Sequence, residues 1–215
     1  MRVIRVAAFA AALALASLVM LPNAVAEPAA ERVDRYLSGL QSLRGSFRQE
    51  IVDATGQVRE VAEGTLALQK PGRFRWDYRS PSPQLLVSDG RTIWLYDEEL
   101  EQVTVRKAGD TLTATPASLL SGRDKASDRF TVVPGESREG LEWFTLTPRI
   151  EDTDFREVRL GFSGDALLRM ELEDRLGQTT RIAFSDLQPN VTLPPDLFSF
   201  DPPPGVDVVG SADGG

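Results

Sequence analysis

Apolar residues recur along this chain at two spacings, and the switch between them separates a short helical opening from a long series of strands. From Pro28 to Leu43 the residues Val33, Tyr36, Leu37, Leu40 and Leu43 fall three or four apart, with Pro28 placed for a first turn and Gly45 past the end. That spacing predicts a helix with one apolar side. Alternating runs follow at Ser46–Asp53, Gly64–Lys70, Arg73–Tyr78, Gln84–Ser88, Thr92–Asp97 and Gln102–Arg106. A second set covers Phe130–Val133, Trp143–Thr147, Glu157–Phe162, Leu167–Glu173 and Thr179–Phe184, with turns at Gly135, Gly140, Ser163-Gly164 and Gly177. Many short strands with close turns predict a mainly β fold with short helices: an antiparallel meander curled into a barrel or half-barrel.

The stretch from Lys70 to Asp97 carries more aromatic residues than a small core requires. Phe74, Trp76 and Tyr78 project from one face of a strand by their period of two, and beyond the Asp89-Gly90 turn Trp94 and Tyr96 are expected to share that face. Such a surface must be covered by a sheet, a helix or a ligand, and the density of rings predicts a cavity. Between the two sets of strands, Thr111–Asp128 breaks the pattern. Its centre reads as a short helix, with Thr115 as cap, Pro116 at the first position, Leu119 and Leu120 as the buried side and Gly122 as the stop. From these residues alone, a mobile lid and an ordinary helix closing one end of a barrel are equal readings.

Arg2 and Arg5 precede the apolar run Val6–Leu21, and Ala24-Val25-Ala26 follows, which predicts a cleaved secretory signal over residues 1–26 and a mature start at Glu27. Losing those two arginines takes the formal charge from −8 to −10. An acidic surface of that size argues against nucleic acid and anionic membrane surfaces as partners. The remaining residues suffice for one domain, taken as 27–209, with 210–215 read as a flexible tail.

The chain contains no His and no Cys, which excludes Ser-His-Asp and Cys-His machinery, disulfides, a lipid-modified cysteine and the usual zinc or copper ligand sets. Catalytic hypotheses are left with carboxylates, but the clusters Asp97, Glu98, Glu99, Glu101 and Glu151, Asp152, Asp154 sit at turn-like positions where solvated acids are expected. No phosphate-binding glycine loop occurs. The chain reads as a non-enzyme without metal or cofactor.

The segments Gly64-Thr65-Leu66-Ala67-Leu68-Gln69-Lys70-Pro71, Phe74-Arg75-Trp76, Val87-Ser88-Asp89-Gly90 and Trp94-Leu95-Tyr96-Asp97 resemble the periplasmic outer-membrane lipoprotein carrier family LolA. Gln102-Val103-Thr104, Thr115-Pro116 with Leu119-Leu120, and the ending from Phe198 to Val206 follow the family's pattern in the same order. The resemblance implies an unclosed β-barrel under a helical lid, enclosing an apolar cavity for the acyl chains of lipoproteins. It implies a periplasmic monomer that takes acylated lipoproteins from an ATP-driven transporter of the inner membrane and passes them to the outer-membrane receptor LolB. A sensor domain of the same fold, as in RseB-like proteins, is the alternative.

The inward set expected to form the acyl cavity is Phe47, Ile51, Leu66, Leu68, Phe74, Trp76 and Trp94, with Pro116, Leu119 and Leu120 as the lid. The family commonly has Arg before the Pro of this motif, where it is thought to hold the lid closed. Here Lys70 occupies that place and is expected to be the latch, keeping the charge but losing the planar fork of donors.

Overall fold

The computed structural model describes residues 27–108, 116–122, 124–150, 153 and 155–211. Helix α1 (Ala29–Gly39) is followed by β1 (Ser42–Val52), β2 (Val58–Gln69), β3 (Arg73–Ser80), β4 (Gln84–Asp89), β5 (Thr92–Asp97) and β6 (Gln102–Lys107). Two short helices, α2 (Pro116–Ser121) and α3 (Ala126–Arg129), lead to β7 (Phe130–Pro134), β8 (Glu142–Pro148), β9 (Phe155–Ser163), β10 (Ala166–Asp174) and β11 (Thr179–Pro189). A single 3₁₀ turn, Pro195–Phe198, and β12 (Asp207–Gly210) complete the described chain. The expected signal segment and the Thr115 cap lie outside the described residues, as do Glu151, Asp152 and Asp154.

All twelve strands form one sheet in the order β12-β6-β5-β4-β3-β2-β1-β11-β10-β9-β8-β7. Every pairing is antiparallel except β12 on β6, and β12 and β7 remain as edges, so the barrel is unclosed. Each face of this curved sheet can be followed through its cross-strand pairs, since residues directly opposite one another point to the same side. One concave row runs Leu68, Phe74, Ser88, Ile93, Arg106, and the next runs Leu66, Trp76, Leu86, Leu95, Thr104.

The concave face is filled unevenly. Over β7–β11 it is a solid core in which Phe144, Leu146, Val158, Leu160, Phe162, Met170, Ile182 and Phe184 pack with Val33, Leu37 and Leu40. Helix α1 is seated there by Arg32, which is buried, donates from Nη2 to the Gly164 carbonyl at 2.5 Å and lies over the Phe162 ring. Asp34 accepts the Ser127 amide (3.1 Å) and hydroxyl (2.5 Å), tying α1 to the start of α3.

The helix ends sooner than its apolar spacing predicts. It stops at Gly39, and Leu40 is already extended, because residues from Ser42 onward are claimed by ladder bonds to β2 on one side and β11 on the other. Gly45 is therefore a bulge residue in β1 and not a helix stop, and Leu43 reaches the core from a strand. Gly64 is required by close approach. A Cβ there would stand 2.0 Å from the Asp77 carbonyl oxygen, and its bare backbone lets Phe47 and Tyr78, on either side of it in one row, close edge to face at 5.1 Å.

The convex face carries apolar residues too. Ala67, Arg75, Val87, Trp94 and Val105 form one row there, apolar but for Arg75, and the C-terminal arm crosses this face with Leu193, Phe198 and Phe200. The arm ends by pairing Gly210 with Val105 in β12, so Gly210 belongs to the sheet and not to a tail.

Candidate functional site

Over β3–β6 the concave face is covered only at its β3 side, by α2, and a cavity of about 750 Å³ lies against the rest. Phe74, Leu86, Ile93 and Leu95 line its apolar part, and Ile51 and Ala62, directly opposite Glu60 and Gln49, line its other end from β1 and β2. Gln49, Glu60, Tyr78, Ser82 and Gln84 supply a polar end, and Thr104 and Arg106 line it from the outer strand β6. Along β3 the apolar row of Phe74 and the polar row of Tyr78 are four residues apart, about 13 Å at the usual strand rise.

The residues expected in an acyl cavity separate into three groups. Phe74 and Ile51 line the cavity. Phe47, Leu66, Leu68 and Trp76 share its concave face but are buried in the adjoining core, where Phe47 and Trp76 meet at 4.9 Å and Trp76 meets Phe184 at 6.4 Å. Trp94 points the other way, and so does Tyr96: both pack on Phe200 across the convex face, at 6.4 and 5.7 Å. The reason is the loop between β4 and β5. Asp89 accepts the amides of Arg91 and Thr92 (2.7 and 2.8 Å), which makes a four-residue connection that sets Ser88 opposite Ile93. Parity therefore flips across the turn, and Ile93 and Leu95 face inward instead of Trp94 and Tyr96. Alternation within each strand does not single out Leu86, Ile93 and Leu95 as lining residues; the length of that loop is the signal that does.

Helix α2 packs on β2 and β3, with Ala117 and Leu120 fully buried in the central cluster and Leu119 packed at its margin. Pro116 opens it. Its link to the barrel is the Gly72 amide, which donates to the Ser121 carbonyl at 2.9 Å. Among the described residues Lys70 makes no bond to this helix. Its Nζ donates to the Leu37 carbonyl at 2.6 Å, at the last turn of α1, where the helix dipole favours a cation and the side chain that ends β2 is aimed. The half-buried ammonium is pushed below the ordinary lysine value by that burial. The Lys70–Gly72 turn thus bonds α1 through a side chain and α2 through the backbone, and the expected Lys70 latch on the lid is corrected to a clamp on α1.

Two phenols near the concave face, Tyr36 and Tyr78, are pushed up to about 12, mainly because burial disfavours the phenolate. Tyr78 donates to Gln49 Oε1 at 3.2 Å. Among the described residues no group of three or more His, Cys, Asp or Glu could hold a metal ion, and no helix is long and apolar enough to cross a membrane.

The profile of a family described as outer membrane lipoprotein carrier protein LolA matches residues 38–201. Curated relatives described as outer-membrane lipoprotein carrier proteins include one from Dechloromonas aromatica, 42% identical over 89% of this chain and 92% of that protein. Another, from Methylococcus capsulatus, is 44% identical over 82% of this chain and 85% of that protein. Among solved structures, an uncharacterized conserved protein from Thermus thermophilus aligns with a TM-score of 0.51 at 14% identity, covering 83% of this chain and 94% of that one, which supports the fold alone.

Proposed function

Because the chain belongs to the LolA family of outer-membrane lipoprotein carriers, we propose that its half-filled barrel holds the acyl chains of lipoproteins on their way to the outer membrane. The observation that carries this reading is the uneven concave face: one half is a solid core, and the other is an apolar cavity beside a short helix. The protein is a carrier, and carrying requires no covalent step. It works in the periplasm, accepting cargo from an inner-membrane lipoprotein-releasing transporter and delivering it to LolB.

Energetics set the design problem. Each methylene taken out of water contributes about 0.8 kcal/mol, so one long chain gains on the order of 10 kcal/mol and a lipoprotein with several chains far more than a shuttle could release. Binding must be opposed, and the opposing work is the displacement of α2. Ala117, Leu119 and Leu120 cover part of the concave face, so cargo has to lift apolar surface that is already buried. Phe47, Leu66, Leu68 and Trp76, sealed in the closed state, then become further wall for the chains.

Native mass spectrometry of the protein purified from the periplasm tests this directly. Bound triacylated peptide is the expected result, together with transfer to vesicles bearing LolB; protein that carries neither lipid nor lipopeptide and never loads from the transporter would refute it.

A further inference from the structure

The cavity has a direction. Along β3 it passes from Phe74 to Tyr78 over about 13 Å, close to half of the roughly 30 Å hydrocarbon core of a bilayer, which is the reach of one acyl chain. A chain lying in the trough with its methyl end at Phe74 and Ile93 brings its head to Gln49, Tyr78 and Glu60. Those groups are polar and none of them is a cation. The Tyr78 hydroxyl is committed to Gln49 Oε1, which leaves the Gln49 amide hydrogens open to the cavity, without an acceptor among the described residues. Gln84 is occupied with Asp97 at 2.8 Å. The charge at this end is the carboxylate of Glu60, whose field also contributes to holding Tyr78 protonated. Among the described residues the one cation lining the cavity, Arg106, sits on β6 in the row of Phe74 and Ile93, at the opposite end.

We propose that Gln49, Tyr78 and Glu60 form a head-group subsite that accepts the uncharged, carbonyl-rich head of a diacylglyceryl cysteine and rejects the phosphate of a phospholipid. The inference rests on the carrier reading and deepens it. Gln49 donates to an ester or amide carbonyl, for which a neutral donor suffices, whereas a phosphate asks for cations and meets a carboxylate instead. A carrier moving between two phospholipid membranes needs such discrimination, because the acyl chains of both lipid classes are alike and cannot supply it.

The test is competition for the loaded cavity. An apolar fluorescent dye is displaced from the full-length mature protein by a synthetic triacylated cysteinyl peptide with uncharged residues, or by phosphatidylglycerol of matched chain length, at low ionic strength. The lipopeptide is expected to win by about tenfold or more, Glu60→Lys to narrow that ratio about three- to tenfold by strengthening phosphatidylglycerol, and 0.5 M salt to erase the Glu60→Lys effect. Gln49→Leu is expected to weaken the lipopeptide more than phosphatidylglycerol, each displacement being read against the variant's own dye affinity. Equal displacement by both lipids, or a ratio indifferent to Glu60→Lys, overturns the subsite while leaving the carrier intact. Loss of phosphatidylglycerol binding on Arg106→Gln in the wild-type background overturns it too, by placing the head at the other end. Failure of the lipopeptide to displace the dye at all overturns the carrier reading itself.

Discussion

Replacing Leu120 by Ala should make this protein bind its cargo more tightly. Leu120 is fully buried on the inner side of α2, and truncating such a residue costs about 2–4 kcal/mol, from lost transfer energy and the space left behind. A short helix can settle into part of that space, so about 2 kcal/mol is the better expectation. The loss falls on the closed, empty state, because in the loaded state α2 has been lifted and Leu120 no longer fills the same hole. Cargo affinity should then rise by up to about thirtyfold, since each 1.4 kcal/mol is a factor of ten. Two measurements separate this from a general weakening. Hydrogen exchange at the Gly72 amide, which donates to the Ser121 carbonyl, reports α2 docking and should speed up by a similar factor. Titration with a triacylated lipopeptide should show the tighter binding, and transfer to LolB vesicles should slow. Weaker binding in the variant would refute the argument, because Leu120 would then be a contact for the cargo and not its competitor.

Lys70→Met removes the bond to the Leu37 carbonyl, which keeps the Leu40 amide as a partner, so a loss of about 1 kcal/mol and a Tm lower by about 2–4 °C are expected by thermal denaturation. Burial holds the Lys70 pKa below its ordinary value, so as pH rises toward 10.5 the unfolded chain retains a proton the folded protein has shed; wild-type stability climbs relative to the variant there, and a Tm gap that stays constant from pH 7 to 10 would refute the assignment. Tyr36 and Tyr78 act in the opposite sense: with folded values of about 12 their stabilisation is complete below pH 10 and is lost as pH rises from 10 to 12, so the double variant Tyr36→Phe, Tyr78→Phe should flatten the alkaline fall in stability. Trp94→Ala should lower Tm by several degrees, about 2 kcal/mol of lost packing on Phe200, and leave lipopeptide affinity unchanged; a large drop in affinity would put Trp94 back in the cavity.

The strands and the antiparallel pairing of successive ones are legible in the sequence because alternation is strong and the turns are short, whereas the pairing of β1 with β11 that joins the two sets has no local signal. Alternation assigns the inward face correctly along any single strand, as with Phe74, Trp76 and Tyr78, but fails where it has to be carried through a loop. Asp89 bonding two amides fixes a four-residue connection, and one residue of difference in that count exchanges Trp94 for Ile93. The C-terminal arm is illegible for another reason. Its segment is rich in Pro and acidic residues and has no period, so it looks like loop, yet Phe198 and Phe200 cover the very row that the flipped parity turns outward. Strand parity puts Lys70 inward, as observed, but nothing in the sequence tells which of two helices its ammonium will find.

The two halves of the barrel divide stability from function in a way that the length of α2 makes necessary. An isolated helix of six residues is far below the length at which helices persist in water, so α2 exists only while Ala117 and Leu120 are docked and Ser121 holds the Gly72 amide. Among the described residues its docking is therefore worth little more than those few contacts, and on the proposed reading that marginal value is what an incoming acyl chain must exceed. Helix α1, by contrast, has Arg32, Asp34, the Lys70 bond and the Asn190 amide on the Gly39 carbonyl to seat it on a filled core, so the half of the molecule that must not yield is fastened at four points. A lid fastened equally well would bar the cargo, and a first half filled equally well would leave it no place to go.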